Sequence, residues 1–332
     1  MRFAVALPIL TVVLVLSAMI ALLVGAVAIA PLDVWSAIWG RGDSVSGAIV
    51  RDLRLPRVIG AALVGGALAV AGAMLQGLLR NPLADPYVTG TSAGASLFAV
   101  IAFALGASVF PAALPVAAFA GALVAALIVW RLASLGGRTT VLTVLLAGVV
   151  LSSFTGAIVT LILVASDRIV LRLRAVLSWL LGGISVLDET QLALVAVIVI
   201  AATVAAIALA PRIDAFAFGE ETAATLGIDV QRTTASILAV VALLVGAAVA
   251  LGGVIGFVGL VVPHALRPFV GALHARLVPA CFLLGASTLV LADLGARIFL
   301  APAELPVGVV TGLVGGPFFF ALLLRQRRRI VV

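Results

Sequence analysis

ALVGGALAVAGAMLQGLLRNPLADPYVTG, residues 62–90, resembles a second stretch of the same chain, LLVGAAVALGGVIGFVGLVVPHALRPFVG, residues 243–271. An ungapped alignment gives the pairs Gly65/Gly246, Gly72/Gly253, Pro82/Pro263, Ala84/Ala265 and Gly90/Gly271. Chance identity is high in a chain this rich in Ala, Val, Leu and Gly, so the glycine and proline matches carry the inference. They predict an internal duplication.

The composition is that of an integral membrane protein. Of the 332 residues, 64% are hydrophobic and 10% are charged, whereas about a quarter of the residues in a soluble domain are charged. The first apolar run, to Ala30, is longer than the roughly 7–15-residue core of a cleavable signal peptide, so we interpret it as a retained span. We expect a single transmembrane domain over residues 1–332.

Apolar runs bounded by Pro, Gly and Arg predict an all-α protein with ten transmembrane helices. The predicted helices cover residues 6–30, 57–79, 90–108, 113–133, 141–164, 190–210, 233–252, 256–267, 277–298 and 307–324. The eighth is too short to span and is expected inside the bundle, where irregular backbone is tolerated. The repeat relates helices 2–5 to helices 7–10, which is typical of transport folds with a pathway at the repeat interface.

Small residues recur every four positions on two predicted helices. They are Gly148, Ser152 and Gly156 on one helix and Gly308, Gly312 and Gly316 on the other. This spacing allows helix backbones to approach closely in lipid. Packing within the chain and a contact between two copies of the chain are both consistent with it.

The charged residues indicate the orientation of the chain. An even number of spans places both termini on one side, and RQRRR at 325–329 favours the cytoplasm for that side. The same rule accounts for the net charge of +7, and nucleic acid is not expected as a partner. The chain contains no lysine, which excludes the phosphate-binding motif G-x-x-x-x-G-K-[ST]. Any ATP that drives transport must therefore bind to another protein.

Other functional classes find little support in the sequence. Ion-coupled carriers keep an ionisable residue near the middle of the membrane, yet Asp293, the nearest candidate, lies close to an outer end and four residues before Arg297, where an ion pair is expected. No motif of a metalloprotease or serine hydrolase occurs, and two histidines are too few for a metal cluster. The single cysteine, Cys281, is expected to pack in the interior.

The polar segment FAFGEETAATLGIDVQR, residues 216–232, interrupts two apolar runs, after Pro211 is expected to end the sixth helix. Gly219 and Gly227 bracket a short helix, and carboxylates at its start favour the positive end of the helix dipole. A small apolar face is expected from Ala223, Ala224 and Leu226. The segment is predicted to dock into another protein, with an ordered surface loop as the alternative.

Several long motifs resemble the permease subunits of the ABC importers for iron siderophores, haem and vitamin B12, the type II importer fold, over essentially the whole chain. They are RLPR (54–57), GAMLQGLLRNPLADP (72–86), FGEETAATLGID (218–229), GFVGLVVPHALR (256–267), LADLGAR (291–297) and AELPVGVVTGLVGGPFF (303–319). The resemblance implies a homodimer with one translocation path on its two-fold axis. It also implies two cytoplasmic ATPase subunits, which bind ATP and Mg²⁺, and one soluble substrate-binding protein; no cofactor is expected on this chain.

The resemblance also implies roles for particular residues. Coupling to the ATPase, within a cytoplasmic segment at 212–232, is implied for Gly219, Glu220, Glu221, Thr222, Ala223, Ala224, Leu226 and Gly227. Docking of the binding protein is implied for Arg54, Arg57 and Arg297, although Arg54 and Arg57 would also serve as interfacial anchors. A cytoplasmic gate is implied for Asn81, Thr140 and Thr143, although a threonine at a helix start is often only a cap. His264 is expected to pack or donate a hydrogen bond rather than bind haem.

The expected function is ATP-driven import of an iron chelate, haem or a ferric siderophore, across the inner membrane from periplasm to cytoplasm. A cobalamin permease is the nearest alternative. An ion-coupled secondary transporter is the alternative from another class.

Overall fold

The computed structural model describes residues 3–25, 28–39, 45–107, 112–135, 141–186 and 188–330. Within these ranges the chain forms helices joined by turns and short extended segments. The α-helices are α1 Phe3–Leu23, α2 Pro31–Ile38, α3 Val45–Ala48, α4 Leu55–Leu78, α5 Thr91–Ala104, α6 Ala113–Ser134, α7 Val141–Ala165, α8 Asp167–Val170, α9 Leu173–Leu180, α10 Glu189–Phe216, α11 Glu220–Thr225, α12 Val230–Gly252, α13 Val258–Val270, α14 His274–Ile298 and α15 Val307–Ile330. A π-helical turn, Ile49–Arg54, joins α3 to α4, and a 3-10 turn, Pro86–Thr89, precedes α5.

The ten predicted spans correspond to ten of these helices. Seven are long and apolar enough to cross a bilayer, namely α1, α4 with the helical residues before it, α6, α7, α10, α12 and α14. Three shorter apolar helices, α5, α13 and the apolar part of α15, complete the set. In lipid the backbone must satisfy its own hydrogen bonds, so uninterrupted apolar runs form helices.

The predicted ends of the first, sixth and tenth helices are wrong. The tenth, α15, continues to Ile330 rather than ending at residue 324. Pro211 does not end the sixth helix, because α10 continues through it to Phe216. This helix has 28 residues and exceeds the roughly 20 needed to span, so its exposed proline lies where water can satisfy the carbonyl that the proline frees. The first helix ends at Leu23 rather than at Ala30, whose extended backbone (ψ 145°) precedes Pro31.

The two halves of the chain pack in the same pattern. Helices α4 and α12 contact each other and are the most buried spans. Helix α4 packs on α14 of the other half, and α12 correspondingly packs on α6. The pairs α5–α6 and α5–α7 of the first half recur as α13–α14 and α13–α15 in the second. This packing is what a duplication of helices 2–5 as helices 7–10 predicts.

The aligned glycines show where the halves agree and where they differ. Gly90 and Gly271 both have positive φ, 76° and 88°, but Gly90 precedes α5 whereas Gly271 follows α13, the counterpart of α5 in the second half. Gly72, by contrast, lies inside α4, whereas its counterpart Gly253 has a φ of 63° and ends α12. The second half therefore breaks its central helix where the first half continues.

Extended backbone at 182–186 supports this break inside the bundle. The backbone N–H of Gly183 donates to the carbonyl of Gly252 (2.9 Å), and that of Ser185 donates to the carbonyl of Leu251 (3.1 Å). The last carbonyls of a helix have no partner within it. The extended segment supplies those partners, which makes an interrupted helix tolerable in the bundle interior.

Candidate functional site

The three arginines predicted to dock a partner lie together at one end of the bundle. Arg54 ends the π-helical turn, Arg57 lies in the first turn of α4, and Arg297 lies in the last turn of α14. They line one cavity of about 500 Å³, which Asp52 and Glu304 also line. We call it the arginine cavity. Residues that are far apart in the sequence thus form one charged site.

Two carboxylates neutralise part of this charge. Arg57 donates from Nε to Oδ1 of Asp293 (3.0 Å) and from Nη1 to Oε2 of Glu304 (2.9 Å). The predicted pair of Asp293 and Arg297 is present, with Nε of Arg297 3.1 Å from Oδ2 of Asp293. Asp293 is buried, and flanking arginines are what such a buried carboxylate requires. Sequence reasoning missed the contact of Arg57 with Asp293.

Arg54 and Arg297 also hold the end of the first helix. Nη1 of Arg54 donates to the carbonyl of Leu22 (2.6 Å), and Nη2 of Arg297 donates to the carbonyl of Ala21 (3.3 Å). These carbonyls belong to the last turn of α1, where cations are favourable. Both arginines are buried, at 7% and 8% exposure, while the side chain of Arg57 is 22% exposed. Arg57 is therefore the arginine of the three that is most accessible to a partner.

The predicted coupling segment lies at the other end of α4. A Cβ added to Gly219 would lie 3.8 Å from Nη1 of Arg80, two residues after α4 ends. Helix α4 has 24 residues and at 1.5 Å per residue separates its two ends by about 36 Å. The arginine cavity and this segment therefore occupy opposite ends of the bundle.

The segment forms a helix of six residues, α11, between two glycines in left-handed conformations. Gly219 has a φ of 103° and Gly227 a φ of 82°, a region in which residues with a side chain are strained. Ala223, a residue of this helix, is fully buried. Of the predicted small apolar face, Ala223 is therefore turned inward, whereas Ala224 and Leu226 are exposed.

The outward surface of the segment is acidic and apolar. Glu221, Thr222, Ala224 and Leu226 are exposed, and Glu220 is partly exposed. Leu226 is 66% exposed, and Phe218, to which we assigned no role from the sequence, is 74% exposed. We call the surface of Phe218, Glu220, Glu221, Ala224 and Leu226 the acidic protrusion. Among the described residues, no ion pair involves Glu220 or Glu221.

Asp229, the third acidic residue of this stretch, caps a helix. Its Oδ1 accepts a hydrogen bond from the backbone N–H of Arg232 (2.9 Å), and its Oδ2 lies 3.1 Å from Nε of the same arginine. It therefore caps the start of α12. The acidic protrusion is left with two carboxylates that make no such cap.

The predicted gate residues are only partly described. Oδ1 of Asn81 accepts from the backbone N–H of Leu83 (2.9 Å), which closes the turn after α4. Thr143 donates to the carbonyl of Ala133 (3.3 Å) and so joins the start of α7 to α6. Thr140 lies outside the described residues. The role of Asn81 and Thr143 in a gate stays a prediction.

Tyr87, His264 and Cys281 do not belong to a group of metal ligands among the described residues. In the part of the chain that the structure describes, no three His, Cys, Asp or Glu residues are grouped for a metal ion. The hydroxyl of Tyr87 accepts from the backbone N–H of Ile255 (2.9 Å) and so supports the broken region after α12. His264 is partly exposed on α13. Cys281 is free and buried, as expected for a packing role.

Of the small residues that recur every four positions on α7 and α15, some are packed against other parts of the chain and others are not. A Cβ on Gly308 would overlap the carbonyl oxygen of Leu181, so this glycine packs within the chain. A Cβ on Gly156, Gly312 or Gly316 would meet no atom within 4 Å. Helix α7 is moreover the least buried of the seven long spans. Parts of α7 and α15 therefore present uncovered small-residue faces.

Comparison with known proteins gives consistent matches. Residues 13–325 match the model of the FecCD transport family. A vitamin B12 import system permease protein of Vibrio cholerae is 44% identical over 308 residues, which cover 92% of this chain and 89% of the relative. A hemin transport system permease protein of Yersinia pestis is 40% identical over 282 residues, 84% of each chain. A solved structure described as an inward-facing metal-chelate type ABC transporter is 29% identical and has a TM-score of 0.83, covering 96% of this chain and 98% of that one.

Proposed function

The chain belongs to the FecCD transport family of ABC importer permeases, and we propose that it imports a metal chelate from periplasm to cytoplasm by alternating access at a homodimer interface. It is a multi-pass membrane protein and a transport subunit. The observation that carries the proposal is the placement of the arginine cavity and the acidic protrusion at opposite ends of the bundle. Such an arrangement suits a subunit that receives cargo at one end and power at the other.

The power source we propose is a pair of cytoplasmic ATPase subunits, with ATP and Mg²⁺ bound to them. The chain has no lysine for a phosphate-binding loop of its own. Phe218 and Leu226 would enter a pocket of the ATPase subunit, since exposed apolar side chains anchor interfaces. Glu220 and Glu221 would face basic groups there. In this arrangement both termini of the permease lie in the cytoplasm of an inner-membrane protein.

The partner we propose for the arginine cavity is a soluble substrate-binding protein that offers an acidic side chain. Arg57 is the accessible arginine, and Glu304, 53% exposed, already holds one of its nitrogens. An incoming carboxylate would replace Glu304 on Arg57. Glu304 would therefore act as an internal competitor of docking.

Replacing Glu304 with Gln should strengthen docking of the binding protein by about two- to fivefold, because a surface ion pair of up to about 1 kcal/mol no longer has to be broken. The affinity would be measured by surface plasmon resonance on permease in nanodiscs, at low and high salt. The gain should shrink at high salt, because exposed charges are screened. Glu189→Gln, an exposed acid in the first turn of α10, is the matched control. An unchanged or weaker affinity for Glu304→Gln would contradict the competitor role.

The homodimer would form on the uncovered faces of α7 and α15. Gly156, Gly312 and Gly316 are open in the single chain, and small residues at membrane interfaces let backbones approach. Contact of the same two faces in two copies would produce a two-fold interface. The translocation path would then run along the two-fold axis, between the subunits.

The double variant Gly312→Leu, Gly316→Leu should be mostly monomeric, with the dimer weakened about tenfold or more, because the new side chains hold the helices apart. Native mass spectrometry of the purified permease measures the dimer fraction. Ala201→Leu adds the same side chain at an exposed position of α10 and should leave the dimer fraction unchanged. A wild-type dimer fraction in the glycine variant would exclude this interface.

The cargo we propose is an iron chelate, haem or a ferric siderophore. One relative that is 40% identical is a hemin permease, and the structural relative is of the metal-chelate type. Cobalamin is the second candidate, because the Vibrio cholerae relative, a vitamin B12 permease, is 44% identical. Binding of haem, a ferric siderophore and cobalamin to the cognate binding protein, measured by titration calorimetry, decides among them. Tight binding of cobalamin alone would reject the iron chelate.

A further inference from the structure

His274, the first residue of α14, contacts two other helices. Its Nδ1 lies 2.5 Å from Oδ1 of Asp214 on α10, and its backbone N–H donates to both oxygens of that carboxylate, at 3.0 and 3.2 Å. Its Nε2 lies 3.2 Å from the carbonyl oxygen of Ala73 on α4. The residue is 7% exposed. One buried side chain thus ties three helices together.

Hydrogen bonds at both ring nitrogens hold the histidine in place. A backbone carbonyl can only accept, so Nε2 of His274 must carry a hydrogen. Nδ1 of His274 and Oδ1 of Asp214 form a second hydrogen bond, and the same carboxyl group also accepts from the backbone N–H of His274. Hydrogen bonds at both ring nitrogens fix the orientation of the ring.

Helix α4 is shaped to admit the histidine ring. A Cβ added to Gly77 would overlap both Nε2 of His274 and Cγ2 of Ile213. Any larger residue at position 77 would push the ring away from the carbonyl of Ala73. The space left at Gly77, the imidazole ring and the carboxylate thus fit together in the interior of the bundle. We call the His274–Asp214 pair in this space the joint.

The joint lies between the acidic protrusion and the long helices of the bundle. Asp214 is in the last turn of α10, and the chain reaches α11 only a few residues later. Helix α14, His274–Ile298, separates His274 from Arg297 by about 35 Å. Arg297, near the end of α14, lines the arginine cavity. Helix α4, which packs along α14, begins at the same cavity with Arg57.

We propose that the His274–Asp214 pair is the joint that passes movement of the acidic protrusion to α14 and α4, and through them to the arginine cavity. This inference rests on the proposed contact of the protrusion with an ATPase subunit. The two residues are positioning residues, since they touch neither cargo nor nucleotide. Without the pair, the end of α10 moves while α14 stays in place, so ATP is hydrolysed without transport.

The test measures cargo uptake per ATP hydrolysed in proteoliposomes that contain the permease, its ATPase and its binding protein. The cargo is haem or cobalamin, whichever the wild type transports. His274→Gln and Asp214→Asn should each lower this ratio about fivefold or more, with ATPase turnover, copurification of the ATPase and thermal stability close to those of wild type. His264→Gln changes the other histidine of the chain and should leave the ratio unchanged.

A double variant separates a joint from two independent effects. When two residues act as a unit, changing both has little more effect than changing one. The uptake per ATP of the double variant should therefore be no lower than that of the single variant with the lower ratio. Unchanged ratios, losses that multiply, or equal losses of uptake, ATPase turnover and stability would overturn the proposal. A wild type that retains no ATPase subunit would refute the proposed function itself. A coupled wild type with unchanged variants would refute only the joint.

Discussion

Replacing both Glu220 and Glu221 with Arg is expected to lower ATP-driven uptake by about tenfold or more. The two carboxylates lie at the start of α11, and no ion pair within the described residues holds them. Their reversal therefore costs the permease little stability. At a docked surface, however, like charges placed opposite each other cost several kcal/mol, and 1.4 kcal/mol already corresponds to a factor of ten.

Two readouts check this expectation. Copurification measures whether the ATPase subunit stays bound, and uptake into proteoliposomes measures transport. Glu189→Arg is the matched control, because Glu189 occupies the first turn of α10 just as Glu220 occupies the first turn of α11. Wild-type copurification and uptake in the Glu220 and Glu221 variant would show that the acidic protrusion does not contact the ATPase.

Gly72→Ala is expected to destabilise the fold by about 3 kcal/mol, at the upper end of the usual cost of overpacking. A Cβ at this position would overlap the carbonyl oxygen of Gly259. Backbone on both sides leaves no flexible side chain to move aside, so α4 and α13 would have to separate. Since α4 is the most buried span of the bundle, the separation would disturb contacts along its length.

Thermal unfolding of the purified protein in detergent, followed by size-exclusion chromatography, measures this effect. Gly256→Ala is the control, because a Cβ at Gly256 would meet no atom within 4 Å. Its melting temperature should match that of the wild type. Equal melting temperatures for the two variants would show that α4 and α13 are not packed as closely as described.

Much of the fold could be predicted from the sequence because lipid imposes a simple rule. A chain in the hydrocarbon layer must satisfy its backbone within each helix, so apolar runs alone located all ten spans. The aligned Gly90 and Gly271 both lie in turns with positive φ, although one begins α5 and the other ends α13. The end of the sixth helix was predicted wrongly from Pro211. A proline commonly ends a helix in a soluble protein, but it is tolerated where a long transmembrane helix emerges from the membrane.

The candidate sites could be predicted only in part. The motifs pointed to Arg54, Arg57 and Arg297, and the structure does bring them to one cavity. That Arg54 and Arg297 hold the end of α1 depends on tertiary contacts with its carbonyls, which leave no trace in a sequence pattern. The pairing of His274 with Asp214 was missed for the same reason, because the two residues are 60 positions apart and neither stands in a charged cluster.

Uptake into proteoliposomes is the most direct measurement of the central claim. The purified permease would be reconstituted with and without its ATPase subunit, and haem, a ferric siderophore and cobalamin would be offered with the binding protein. We expect accumulation of one cargo that requires both the ATPase subunit and ATP, and no accumulation under a proton or sodium gradient alone. Accumulation that an ion gradient drives in vesicles lacking the ATPase subunit would contradict the account.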